Sequence, residues 1–175
     1  MKPSRTTNSR RLGNARLRFD LVCGLIALPF LFLSTAGSHG QQVLNPLPVA
    51  GVWYDDTGEG AVEIVPCADR LCGHIVWLKN PNDRAGRPLT DGLNPEPAQR
   101  RRPVCGLQVI GDLKPQPNGS WDAGWIYDPK EGKSYDVEIK LRAPDRLQVM
   151  GYLGTKFLSE TFVWKRVTAE IQRCA

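Results

Sequence analysis

The stretch Tyr135-Asp136-Val137-Glu138-Ile139-Lys140-Leu141 decides the fold class. Apolar and charged residues alternate at every step, so an extended chain puts one face in a core and the other in water. A helix needs apolar residues three and four apart, which a period of two does not supply. Just before it, Asp128-Pro129-Lys130-Glu131-Gly132-Lys133 reads as a turn, with Gly132 suited to positive φ. The turn is preceded by a strand over 121–127, expected to carry Trp121, Ala123, Trp125 and Tyr127 on one face. On the other side, Ala143-Pro144-Asp145 turns the chain into Leu147-Gln148-Val149-Met150-Gly151-Tyr152, and Thr161-Phe162-Val163-Trp164-Lys165 ends the series.

Towards the N-terminus the same pattern recurs. Gly51-Val52-Trp53-Tyr54, Ala61-Val62-Glu63-Ile64-Val65 and the run 72–78 read as a meander, and Leu107-Gln108-Val109-Ile110 resumes it. About eight short strands joined by hairpins predict an all-β fold. A single antiparallel up-and-down barrel fits best, because closure removes exposed edges. Residues 80–105 interrupt the series as a long Pro- and Arg-rich loop holding Pro81, Pro88, Pro95, Pro97 and Pro103. Connections of that length are usually functional or disordered. Within it a short helix is expected over 94–101, capped by Asn94, with Pro95 at its first position and Pro103 as its stop.

The 175 residues carry 23 Lys and Arg against 18 Asp and Glu, a net charge of +5. Six of those cations lie in the first 20 residues, followed by the apolar run 21–33 and the small residues Ser34, Thr35, Ala36, Gly37 and Ser38. This is the pattern of a signal peptide over 1–40 with cleavage near 36–40. The apolar run is short for a membrane span, which needs about 20 residues. The rest divides into a linker 41–50, a barrel domain 51–167 and a C-terminal tail 168–175. Without the leader, 17 basic residues face 17 acidic ones, so the positive charge implies no nucleic-acid partner. The expected location is periplasmic or secreted, with no stable membrane span once the leader is gone.

Four cysteines remain after the leader, and an even count in an exported chain favours disulfides. Cys67 and Cys72 flank a hairpin end, where opposed residues come within disulfide range. Cys105 and Cys174 pair by elimination. His74 with Cys72 does not complete a metal site, and no metal or cofactor is expected.

An ordered series of motifs resembles a family of small exported bacterial proteins of unknown function. They are Gly51-x-Trp53, Pro66-Cys67, Leu71-Cys72-Gly73 and Ile75-Val76-Trp77-Leu78, then Asp91 with Asn94-Pro95, Arg100-x-Arg102-Pro103 and Gly106-Leu107. Trp121-x-x-Gly124-x-Ile126-Tyr127-Asp128-Pro129-x-x-Gly132-Lys133-x-Tyr135, Gly151-Tyr152 and Trp164 complete it. The resemblance spans about residues 50–167 and implies a lipocalin-like or fatty-acid-binding-like barrel with no assigned reaction. It departs from the pattern at Ser159-Glu160-Thr161, where a glycine and a basic residue are expected.

Catalytic motifs are absent: no G-x-S-x-G, no phosphate-binding glycine loop, and Asp55, Asp56 and Glu59 do not complete a calcium loop. An enzyme would have to use His74, Asp91 or Asp128. The leading expectation is non-catalytic binding of a small apolar, amphipathic or anionic ligand. Arg100 or Arg102 would be its polar anchor, helped by Asp91 and Asn94, with Trp77, Tyr127 and Tyr152 as aromatic contacts. Alternatively these arginines pair with Asp91 or Asp128 and pin the loop, or the loop 80–105 docks a protein partner of the cell envelope.

Overall fold

A computed structural model describes residues 47–174. The proposed leader and most of the proposed linker lie outside the described residues. The strands are β1 (Gly51–Tyr54), β2 (Gly60–Cys67), β3 (Arg70–Leu78), β4 (Gln108–Pro115), β5 (Trp121–Asp128), β6 (Lys133–Ala143), β7 (Arg146–Leu153) and β8 (Thr155–Arg166). Each pairs antiparallel with the next, and β1 pairs with β8, so the sheet closes as an eight-stranded up-and-down barrel. Among the described residues no helix is long and apolar enough to cross a membrane.

The alternation in β6 works as its sequence dictates. Val137 and Ile139 are fully buried and lie opposite Gly151 and Val149 of β7, while Asp136 and Glu138 face outward. Trp53, Ile64, Leu71, Ile110, Leu113 and Leu147 complete a core with no exposed surface. At about 25 cal/mol per Å2 of apolar area, each such side chain contributes roughly 1.5–3 kcal/mol.

β5 differs from its expected pattern. Trp121 lies opposite Ile139 but Gly124 lies opposite Val137, so Asp122 and Ala123 form a bulge. Ala123 adopts φ +58° and is exposed. The extra residue inverts the alternation, leaving Trp121, Gly124 and Ile126 inward and Trp125 and Tyr127 on the opposite face. The Trp125 ring then lies over Gly111, where a Cβ would come within 2.5 Å of it, and donates from Nε1 to Asp112.

The end of the barrel holding the β2–β3, β4–β5 and β6–β7 turns is closed. Arg166 stacks on Trp53 at 4.0 Å and donates to the carbonyls of Pro144, Ala50 and Pro48. Trp53 Nε1 donates to the Val49 carbonyl, and Val49 is buried. Residues 47–50, expected as linker, therefore form part of this plug. Gly51 is required there: its φ is +126°, and a Cβ would sit 2.7 Å from the Arg166 guanidinium.

Cys67 is bonded to Cys72 and Cys105 to Cys174, with Cα atoms 5.8 and 6.1 Å apart. Cys67 lies opposite Arg70 and Cys72 opposite Val65, so this pair is diagonal rather than directly opposed. The C-terminal segment lies against the wall: Cys174 donates its N–H to Val76, and Arg173 makes a two-pronged pair with Glu63.

Candidate functional site

The end holding the β1–β2, β5–β6 and β7–β8 turns opens into a cavity of about 1190 Å3. Ligand pockets for small molecules run about 300–1,000 Å3, so the space suits a sizeable ligand. Its wall is apolar: Val62, Ile75, Leu78, Val109, Ile126, Val149, Phe162 and Trp164 come from the strands, and Leu89 and Val104 from the long loop. Gly151 faces the cavity, and a Cβ there would meet only Tyr135, at 3.9 Å. At the rim Leu93, Leu153, Phe157 and Leu158 are exposed by 61%, 57%, 100% and 69%. Exposed apolar residues are unremarkable singly, but four around one opening mark an interaction surface.

The long loop closes over the β5–β6 side through a buried polar network. Asp91 is fully buried. Its Oδ1 accepts from the Tyr127 hydroxyl at 2.6 Å, and its Oδ2 from Asn94 at 2.7 Å and from Arg102 at 2.9 and 2.8 Å. Asn94 also donates to the Tyr127 oxygen at 3.1 Å, and Arg100 donates to the Asn94 carbonyl at 2.7 Å. Burial and the neighbouring Asp91 carboxylate raise the Tyr127 hydroxyl above its ordinary pKa. Among the described residues no buried side-chain N or O lacks a partner. A buried carboxylate satisfied this fully holds structure together, and removal of one partner is costly.

Five residues expected to touch a ligand, Asp91, Asn94, Arg100, Arg102 and Tyr127, thus converge, but mostly on one another. Of these only Tyr127 borders the cavity; Arg100 and Arg102 do not, so the anchor expected for an anionic head group is engaged in pinning the loop. Asn94 is not a helix cap. Its Oδ1 accepts from the Glu96 N–H in a tight turn, and the helix is a single 3-10 turn, Pro97–Gln99. The proline placed at its start is Pro97 rather than Pro95.

Trp77 lies outside the cavity wall, edge-on to Tyr54 at 5.4 Å. Tyr152 borders the opening but donates its hydroxyl to Asp122, at 2.9 Å. Burial and the Asp122 carboxylate push that hydroxyl up to about 12. Lys156 bridges Asp122, at 2.5 Å, and Glu138, tying the start of β8 to β5 and β6. Burial works against the Asp122 carboxylate, but Lys156, the Ala123 N–H and Tyr152 together hold it below its usual range. The remaining enzyme candidates gain no partner in this site: His74 lies on the wall beside Glu63 and Gln108, and Asp128 sits in the β5–β6 turn.

Sequence reasoning missed the rim. The run 155–160 carries two bulky apolar residues exposed to solvent, so it has no alternation to read, yet it forms the first half of β8. An unpartnered Phe157-Leu158 pair was the available signal.

Among solved structures the fold is similar to protein HP1028 from Helicobacter pylori, described as belonging to the lipocalin family. The two share 23% identity over 68% of this chain and 82% of that one, with a TM-score of 0.58. No functionally curated protein matches the chain. The family model described as "Uncharacterized protein conserved in bacteria (DUF2147)" matches residues 51–166, from the first residue of β1 to the last of β8, and the chain belongs to that family.

Proposed function

We propose that the protein is an exported, non-catalytic carrier that holds a small apolar or amphipathic molecule in its barrel. The observation that carries this reading is the apolar cavity of about 1190 Å3, open at one end and ringed by exposed Leu93, Leu153, Phe157 and Leu158. Burial of an alkyl chain there contributes about 0.8 kcal/mol per CH2. The likeness to a protein described as a lipocalin supports the same reading. The basic and apolar N-terminal sequence and the two disulfides support export.

The test is titration with a fluorescent apolar probe, N-phenyl-1-naphthylamine, against the wild type and Gly151→Phe. Gly151 has an ordinary φ and open space before it, so a phenyl ring there intrudes into the cavity without straining the backbone. Saturable one-to-one binding by the wild type is expected. It should weaken severalfold in the variant at an unchanged melting temperature. Equal binding by both proteins places the probe elsewhere and overturns the reading.

A further inference from the structure

The cavity has a charged border as well as an apolar wall. Six carboxylates line the opening, those of Asp55, Asp56, Glu59, Asp128, Glu131 and Glu160, against the single ammonium of Lys130. Two are compensated: Glu59 by Lys130 at 3.5 Å, and Glu131 by Lys133 at 3.6 Å. Among the described residues no cation pairs with Asp55, Asp56, Asp128 or Glu160. Asp55 accepts the Thr57 hydroxyl and the Glu59 N–H, and Asp128 accepts the Lys130 N–H, all neutral donors.

Glu160 shares the inner face of β8 with Phe162 and Trp164, opposite Gly151, so it stands where the apolar wall ends and the mouth begins. Three of the carboxylates act on one hydroxyl at the mouth, that of Tyr135. The Tyr135 hydroxyl donates to Glu131, and that bond, desolvation and the charges of Glu131, Asp128 and Glu160 push it up to about 12. The two arginines that could have reversed the sign, Arg100 and Arg102, are held in the loop. Among the described residues no three acidic, histidine or cysteine side chains are close enough to hold a metal ion. The carboxylates ring the opening instead, which matches an organic cation rather than a bare divalent ion.

Resting on the reading of the cavity as a ligand site, we infer that its ligand is a cationic amphiphile, with an apolar tail in the barrel and an ammonium-type head at the Asp55–Asp56, Asp128 and Glu160 rim. Carboxylates around a low-dielectric opening focus a negative potential on whatever head group sits there. The same rim repels a fatty-acid carboxylate, although the tail of either molecule fits the wall equally well.

The experiment compares three amphiphiles of one chain length, each below its micelle concentration, by calorimetric titration of the purified protein. They are dodecyltrimethylammonium, dodecanoate and uncharged dodecyl maltoside. At low ionic strength dodecyltrimethylammonium is expected to bind about tenfold more tightly than dodecanoate. The ratio should fall towards one in about 0.5 M salt, and also in a variant carrying Asp56→Asn with Glu160→Gln. Dodecanoate binding as tightly as the cation, or a preference unmoved by salt and by the variant, overturns the inference and leaves the cavity reading standing. Binding of none of the three overturns the cavity reading itself.

Discussion

The two ends of the barrel are built from the same eight strands and do opposite things. At the closed end Trp53 has no exposed surface, Arg166 stacks on it, and three backbone carbonyls accept from the guanidinium. At the open end Phe157 is fully exposed and the strands enclose a cavity rather than a packed core. An eight-stranded barrel is just wide enough to be filled by side chains or to hold one small ligand, and here it does each in one half. The core at one end provides the stability that lets the other remain unfilled.

The contrast can be broken at four places. The largest effect is expected from Trp53→Ala, which empties the plug and leaves Arg166 above a void. A loss of about 3–5 kcal/mol should appear as a lower denaturation midpoint, and a change below about 1 kcal/mol would show that the closed end is not the stable one. Next is Asp91→Ala, which leaves Tyr127 under the loop, and Asn94 and Arg102 within it, without their shared partner. Since Arg102 is partly exposed, about 3 kcal/mol is expected, the low end for a broken buried pair. Amide exchange should rise over residues 80–105 first, and uniform exchange across the barrel would contradict a local role for the network.

Gly132→Val tests how tightly the loop seats on the β5–β6 turn. Gly132 has φ +67°, and its missing Cβ would lie 1.9 Å from the Leu93 carbonyl oxygen. Strain of about 1–3 kcal/mol is expected, and an unshifted melting temperature would mean that the loop does not rest there. The smallest stability effect belongs to Phe157→Ser, within about 0.5 kcal/mol, because nothing covers that ring. Its affinity for N-phenyl-1-naphthylamine should nonetheless fall severalfold. Unaltered affinity would separate the rim from the site.

The asymmetry explains which features were legible in the sequence. The β6 alternation, the Gly-containing turns and the spacing of short apolar runs are local signals, and they yield the strand order and the closed barrel directly. The bulge at Asp122–Ala123 was hidden because neither residue advertises a left-handed backbone, and a one-residue slip then moved Trp125 and Tyr127 to the other face. Arg102 was legible as a partner for Asp91, but sequence could not say whether both face the interior or each other. That depends on where a 26-residue loop lies, set by contacts with Tyr127 and Gly132 far along the chain. The cavity itself is a volume left over after packing, and no residue type encodes it.

The seam between β1 and β8 is the shortest in the barrel. Only Trp53 with Arg166 and Tyr54 with Lys165 are in register there. A chain made from its N-terminus has β1 ready long before β8 exists, so β1 must wait with one side unpaired. A waiting edge invites pairing with other chains, and brevity is one of the ways such edges are blunted. At four residues, β1 offers a neighbour almost nothing to add to. The same brevity gives the finished barrel a latch that fastens last, on the tryptophan that closes its floor.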